Sequence, residues 1–535
     1  MTSSTGATIT GTTGTTGTTS ATSATIVGVT ITGTGDRRQF RIVLGALLVA
    51  LFLSALDNTI VATAMPTIVG RMGGFAKYTW VTTSYVVTST ISTLLLGKLS
   101  DLYGRRRLFL FAIAVFILGS ALCGASQNID QLIAFRALQG LGGGGIFALT
   151  FTIVADLVAP KERGRYFGMF TSMFALASLA GPLIGGVIVD NVSWRWIFYV
   201  NLPLGVFVFA AIAAVMHLPA SSREVSVDWQ GALLVSGSIA AFMVALEQGD
   251  LRGWRSPTIV ALFGVCVALT IVFVWWERRA VEPLLPMRFF SHPVMRSAYV
   301  LAVLTGFTMM SIGLYFALFF QDVRFFTPTR AGLLTFPMML GVTAAATFSG
   351  RRITATGRYR ALPLYGSLSA LTGMLMASRL HVSMPYVVIA ASMLLIGVGM
   401  GLVMPSISIA SQNAGDPREM GIVTASANFF RTLGSAMGLA VYGAVLTAKL
   451  RTELAERLPD RADALTSLVR EPKRIAALPP GTRSAVQESI TAGISLIFVM
   501  SSAVVVLGFL AALSLREIPL RRESGIDARA AMAEM

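Results

Sequence analysis

Runs of about twenty apolar residues, broken by short polar and arginine-rich connectors, recur along most of this 535-residue chain. A run of that length crosses a bilayer as a helix. Fourteen such spans are predicted, centred near Leu53, Val87, Ile113, Phe147, Ala177, Val208, Gly237, Val267, Met309, Leu340, Leu371, Leu395, Ala436 and Val504. The expected fold class is an all-α polytopic membrane protein. Composition agrees, since 54% of residues are hydrophobic and 13% charged, against about 25% charged in a soluble protein.

The connectors carry the polarity of the chain. With the N-terminus inside, the inward loops and tails hold 24 of the 42 lysines and arginines, the short outward loops 8, and one long outward loop, 449–488, another 8. Basic residues stay on the cytoplasmic side, so both termini are predicted to be cytoplasmic. The net charge of +16 then serves topology and anionic lipid headgroups, not nucleic acid. The loop 449–488 shows helical leucine spacing (Leu454, Leu458, Leu465, Leu468), which fits either an amphipathic helix on the outer surface or a plain connector. The Thr/Gly/Ser-rich residues 1–40 and the end of the chain, 517–535, read as cytoplasmic tails. The first lacks the apolar content to fold and has no secretory signal pattern. Arginine outnumbers lysine 37 to 5, as in proteins from GC-rich bacterial genomes.

The run Gly97-Lys98-Leu99-Ser100-Asp101-Leu102-Tyr103-Gly104-Arg105-Arg106-Arg107 separates the second and third spans. No helix in hydrocarbon continues through it. Asp101 and Arg105 are four apart, a spacing that suits an ion pair, and Gly104 permits a sharp reversal. Gly350-Arg351-Arg352 with Gly357-Arg358-Tyr359-Arg360 echoes it, with Thr354 where the acid stood. Two six-helix bundles, 41–217 and 281–516, with two inserted helices in 218–280, put each copy after the second helix of a bundle. Such internal repetition is a transporter trait.

Ionisable groups at membrane depth are costly and mark function by default. Asp57 lies deep in the first span. Burial disfavours a carboxylate's charged form, so this acid is a candidate to bind and release a proton, or to hold a cationic substrate. Arg136 opens Arg136-Ala137-Leu138-Gln139-Gly140-Leu141-Gly142-Gly143-Gly144-Gly145. Its guanidinium keeps its charge and needs an acid, carbonyl or water, while the glycines admit a close neighbouring helix. Arg431, near the start of the thirteenth span, either lines the cavity of the second bundle or anchors the interface. Gly181-Pro182-Leu183-Ile184-Gly185-Gly186 allows a bend or a tight contact. Asp156 and Glu247 lie near span ends, where interface roles are expected. Phe307, Tyr315, Phe316, Phe319 and Phe320 are candidates to line an apolar cavity. No phosphate-binding glycine loop, metal-ligand spacing or nucleophile motif is present in the sequence. The expectation is a non-enzyme with no metal or organic cofactor.

These segments resemble the fourteen-helix drug:proton antiporter branch of the major facilitator superfamily, from about Arg41 to Arg516. The carriers are Leu56-Asp57-Asn58-Thr59-Ile60-Val61-Ala62-Thr63-Ala64-Met65-Pro66, the Gly97–Arg107 loop, the Arg136–Gly140 run, the Gly181–Gly186 antiporter motif, and Trp194–Gly205. Phe174–Ser178 stand where the antiporter motif usually has more glycines. The resemblance implies the major facilitator fold, alternating access and energy from the proton gradient. It implies a cytoplasmic gate formed by Gly97, Asp101, Gly104 and Arg105, and proton-coupling or substrate roles among Asp57, Arg136 and Arg431. The expected protein is a monomeric multi-pass exporter of lipophilic or cationic small molecules in a bacterial cytoplasmic membrane. A dedicated exporter of one endogenous metabolite and a non-transporting sensor or scaffold are the alternatives.

Overall fold

The computed structural model describes residues 34–72, 77–216, 228–458, 465 and 472–521. Residues 1–33 of the predicted first tail, 522–535 of the second, and parts of the linker and of the long loop lie outside them. So does the side chain of Glu247.

Among the described residues every regular element is a helix. Fourteen helices reach fifteen residues or more. The first six are α1 Thr34–Met72, α2 Tyr78–Tyr103, α3 Arg105–Ala125, α4 Ile129–Leu157, α5 Pro160–Asn191 and α6 Asn201–Val215. A pair follows, α7 Trp229–Arg252 and α8 Pro257–Glu277. The last six are α9 Pro293–Leu318, α10 Phe336–Thr356, α11 Ala361–Ala377, α12 Tyr386–Ala414, α13 Met420–Arg457 and α14 Pro480–Leu513. Twelve membrane candidates meet the requirements of length and apolar composition. Of the remaining long helices, α2 is rich in Thr and Ser, and α11 has 17 residues.

Local chemistry sets the boundaries. Asn128 caps α4 by accepting from Gln131 N, 2.9 Å away, and Asp228 caps α7 through Gly231 N at 2.8 Å. Such caps satisfy amides that the first turn leaves unpaired. Proline, which needs no amide partner in a first turn, begins α5, α9 and α14. Gly104 ends α2 with φ +90° and Gly357 ends α10 with φ +71°, a region that side chains resist. The echoed loops therefore share their backbone reversal as well as their sequence.

Helices α1–α6 form one bundle and α9–α14 another, and the pairings repeat. In the first, α2 and α3 pack on α4, and α1 on α5; in the second, α10 and α11 pack on α12, and α9 on α13. Lipid offers no less apolar an environment than a neighbouring helix, so close fit decides association. Glycine supplies it: a Cβ on Gly140 or Gly144 would strike the α2 backbone at Tyr85 or Ser89, and one on Gly142 the α3 backbone at Phe116. Large apolar residues such as Phe111, Leu118, Phe207, Phe348, Leu368 and Val387 face outward, as a lipid-exposed surface requires. The α7–α8 pair packs across the seam between α2 and α13.

Two expectations change here. The outward loop 449–488 is shorter, because α13 runs on to Arg457 and α14 begins at Pro480. Of its leucines, Leu454 and Leu465 are buried in the core of the second bundle with Ile475, Leu458 packs against that core, and Leu468 lies outside the described residues. Nor do four of the five candidate aromatics line a cavity. Tyr315 and Phe316 of α9, and Phe319 and Phe320 just beyond it, are buried in that same core, where Phe316 meets Phe498 at 4.8 Å; Phe307 is partly buried, 5.2 Å from the Tyr442 ring.

Candidate functional site

Asp57 and Arg136, 79 residues apart in sequence, form a fully buried ion pair. Arg136 Nη1 donates to Asp57 Oδ2 at 2.7 Å, with the two side chains 1% and 0% exposed. Two amides complete the carboxylate's shell: Gln139 Nε2 donates to Oδ1 at 2.9 Å and Asn201 Nδ2 to the same oxygen at 2.8 Å. Arg136 Nη1 also donates to Gln139 Oε1 at 2.8 Å. The guanidinium carbon lies 4.2 Å from the centre of the Tyr85 ring, a cation–π contact that is stronger away from water. Three helices, α1, α4 and α6, thus meet at one carboxylate, and α2 joins the network through the Tyr85 ring on Arg136. Arg136 is eight residues into α4 and Asn201 is the first residue of α6. The network therefore sits about 10 Å, or seven residue rises, inside the bundle end opposite the arginine-rich loops. Arg136 Nε and Asn201 Oδ1 remain buried without hydrogen bonds, so the network has spare donor and acceptor capacity.

At the arginine-rich end the two bundles meet. Asp101 accepts from the amides of Gly421 and Ile422, each at 2.9 Å, at the first turn of α13. An anion at a helix N-terminus satisfies unpaired amides and opposes the helix dipole. Arg105 is ion-paired with Asp101, donates through Nε to Asp156 Oδ2 at 2.8 Å, and reaches Ser100 Oγ at 2.6 Å. A Cβ on Gly97 would run into Ala425 and the Gly421 carbonyl, so glycine is what lets α2 touch α13. A second contact joins α5 to α10, where Gly164 and Gly350 abut backbone to backbone. Beside it, buried Arg163 donates to Val158 O at 2.8 Å and to Gln412 Oε1 of α12 at 3.0 Å.

The helix 5 motif meets the helix 1 motif. Thr59 Oγ1 donates to Ala177 O at 3.1 Å, a Cβ on Gly181 would strike Thr59, and Gly185 faces Ile60 at ordinary contact distance. Gly186 has open space beside it, and Pro182 sits inside an unbroken α5. Arg431 stands apart from all of these groups. It lies eleven residues beyond Met420, about 16 Å into α13, further from the helix start than its span position suggests. Its guanidinium is 5.3 Å from the centre of the Phe147 ring on α4 of the other bundle.

A buried acid–arginine pair in one bundle, two glycine-mediated contacts between bundles and a repeated helix pairing are the geometry of a two-bundle transporter. The Major Facilitator Superfamily sequence profile matches residues 47–439. The chain belongs to the major facilitator superfamily. Among superfamily relatives, it is 36% identical over 464 residues to the "Multidrug resistance protein 3" of Bacillus subtilis, covering 86% of this chain and 90% of that one. It is 35% identical over 437 residues to "Multidrug transporter protein MdtP" of the same organism, covering 81% and 80%. Among solved structures, the proton:xylose symporter XylE bound to 6-bromo-6-deoxy-D-glucose shares the fold with a TM-score of 0.58 at 14% identity, covering 93% and 99%. The protein is therefore a multi-pass major facilitator transporter with multidrug and efflux-pump relatives.

Within this superfamily fold, four site residues escaped the sequence reading. Gln139 and Asn201 stood inside motifs quoted for other reasons, though an amide at membrane depth is itself a signal. Asp156 was expected at a wet span end; instead it is fully buried against Arg105. Arg163 counted only toward loop charge, yet it is 1% exposed. Only a fold that closes the α4–α5 connector over it removes it from water.

Proposed function

We propose that this transporter is a fourteen-span drug:proton antiporter that exports amphipathic compounds across a bacterial cytoplasmic membrane, driven by the proton gradient. The Asp57–Arg136 pair is the observation that carries the reading. A buried ion pair stabilises little on balance, but removing one partner costs about 3–5 kcal/mol, because the other charge is stranded. Protonating Asp57 does this reversibly. Arg136 keeps its charge and must find water or a new acceptor, so the helices around it repack. The network's place near the end away from the basic loops suits a proton arriving from outside.

In this reading the Thr/Ser-rich α2 and the short α11 also cross the membrane. Each is packed within its bundle, α2 on α4 and α11 on α12, which supports burial of their polar faces away from lipid. The α7–α8 pair is the insertion between two six-helix bundles. Both termini and the arginine-rich loops are cytoplasmic, following the basic-residue bias, and the conformation described is then closed to the cytoplasm. Asp101, held by the α13 amides and by Arg105, is the latch of that closure; Gly97 and Gly104 permit its geometry. The α1–α5 contact at Gly181, Pro182 and Gly185 moves with it as the bundles rock. A monomer contains the whole path.

The test is an inverted-vesicle assay with an imposed pH gradient and a panel of amphipathic dyes, reading substrate-induced proton movement. Wild-type protein is expected to couple. The Asp57→Asn protein is expected to lose coupling at least tenfold while reaching the membrane in normal amount. Uphill export by Asp57→Asn at the wild-type rate would remove Asp57 as the coupling acid.

A further inference from the structure

The fully buried arginines Arg105, Arg136 and Arg163 each have a strong acceptor. Arg105 has two carboxylates, Arg136 has Asp57, and Arg163 has backbone carbonyls and Gln412. Arg431 differs. Among the described residues its guanidinium pairs with no carboxylate; Nη2 donates weakly to Asn428 Oδ1 at 3.4 Å, and the group otherwise lies over Phe147. The packing role at this position belongs to the backbone, because the Arg431 carbonyl is what a Cβ on Gly306 of α9 would strike. The guanidinium takes no part in that helix contact. A permanent charge held at membrane depth without a counter-ion is costly, and its persistence calls for a partner that comes and goes.

The surroundings describe that partner. Arg431 reaches from one bundle to the other, and the surface it meets is aromatic. Phe147 lies 5.2 Å from Phe151 and 5.8 Å from Phe174, centre to centre, and all three rings are only partly buried. The carboxylates of the motifs are already engaged: Asp57 by three donors, Asp101 by two amides and Arg105, Asp156 by Arg105. A cation beside Arg431 would meet like charge, whereas an acid would meet a preformed donor fork.

We propose that Arg431 is a specificity-determining residue that pairs with an acidic group of the exported compound, while Phe147, Phe151 and Phe174 hold its aromatic or apolar body. The substrate class is then amphipathic acids and zwitterions, not simple lipophilic cations. This deepens the transport reading and rests on it for the word substrate; the binding itself is measured separately.

The experiment uses the full chain in lipid nanodiscs, with dansylglycine and its methyl ester as a matched acid and neutral probe and ethidium as the cation. Fluorescence titration, corrected with empty nanodiscs, reads affinity. Wild-type protein is expected to bind the acid more than tenfold tighter than the ester, the scale of one charged hydrogen-bonded contact. Arg431→Gln should erase the difference and Arg431→Lys retain part of it. Equal affinity for acid and ester on wild-type protein overturns the proposal, and so does an absence of saturable acid binding. Neither outcome depends on the folding of a variant. An acid preference that survives in Arg431→Gln also overturns it. Proton-coupled export of ethidium without acid preference would leave the antiport reading standing and remove this one. Arg431-dependent acid binding without any proton-coupled export would do the reverse.

Discussion

The bundles touch at α2·α13 and at α5·α10, two contacts that the internal repeat makes counterparts. Both depend on glycine, Gly97 against Gly421 and Gly164 against Gly350. At the first, a carboxylate crosses the seam, and Asp101 accepts from the Gly421 and Ile422 amides. At the second, the equivalent residue, Thr354, turns back on its own helix and donates to Gly350 O at 3.0 Å. The bridging side chain there is Arg163, which meets only uncharged acceptors across the seam. A carboxylate can be neutralised by a proton, while a guanidinium cannot. The repeat has thus kept the close approach in both copies and left the protonatable link in one.

The glycine contact that both seams share is the most sensitive element. Gly421→Leu or Gly350→Leu forces the helices apart, since there is backbone on the far side of each contact. Transport should fall at least tenfold in each, with cysteine cross-linking across that seam lost as the check. Next comes the charge. Asp101→Ala leaves two amides without their acceptor and Arg105 with Asp156 as its one remaining carboxylate, an effect of about 1.5–3 kcal/mol on the closed state for hydrogen bonds to a charged group. Spin-label distances across the seam should show the open population rising about tenfold or more. Thr354→Ala removes only a bond within α10 and should shift the same open–closed equilibrium by less than about 0.5 kcal/mol. Equal responses to these two substitutions would show that the acid adds nothing to the glycine contact. Smallest of all is Lys98→Gln. Lys98 is buried but its partner Glu282, 3.1 Å away beyond α8, is about a third exposed, so solvent screening holds the effect below about 1 kcal/mol. Its response shows whether the α7–α8 pair follows the latch.

A different contrast separates the two deep arginines. Arg136 is held by Asp57, Gln139 and the Tyr85 ring within one bundle, near the end away from the basic loops, whereas Arg431 reaches across the seam from the other bundle and meets a ring. One spends its charge on the protein; the other keeps it available. Their sequence contexts did not foretell this, since each sits in an apolar helix beside small residues.

Much of the fold was readable from local rules. Apolar runs of bilayer length mark the helices, and the glycine–arginine loops mark their reversals, down to the positive φ at Gly104 and Gly357. The seven-residue glycine spacing exposes the repeat before any coordinate does. Misreadings arose where a residue's surroundings come from far along the chain. The leucines of 449–488 have amphipathic spacing that serves equally for a membrane surface or a bundle core, and Leu454 and Leu465 take the core. The α9 aromatics could have faced a cavity, yet α14 covers Phe316 through Phe498.

Local sequence suffices to place this chain in a membrane and to show where its helices turn, which halves repeat and which side chains are too costly at that depth to be incidental. Those properties follow from hydrophobic length, backbone sterics and the desolvation of charge, all of them local. Tertiary structure alone decided who meets whom. It put Gln139 and Asn201 on Asp57, laid the amides of α13 over Asp101, and left Arg431 facing rings instead of an acid. Partner choice depends on which helix faces cross at which height, and that is set by close packing between segments about 80 to 320 residues apart.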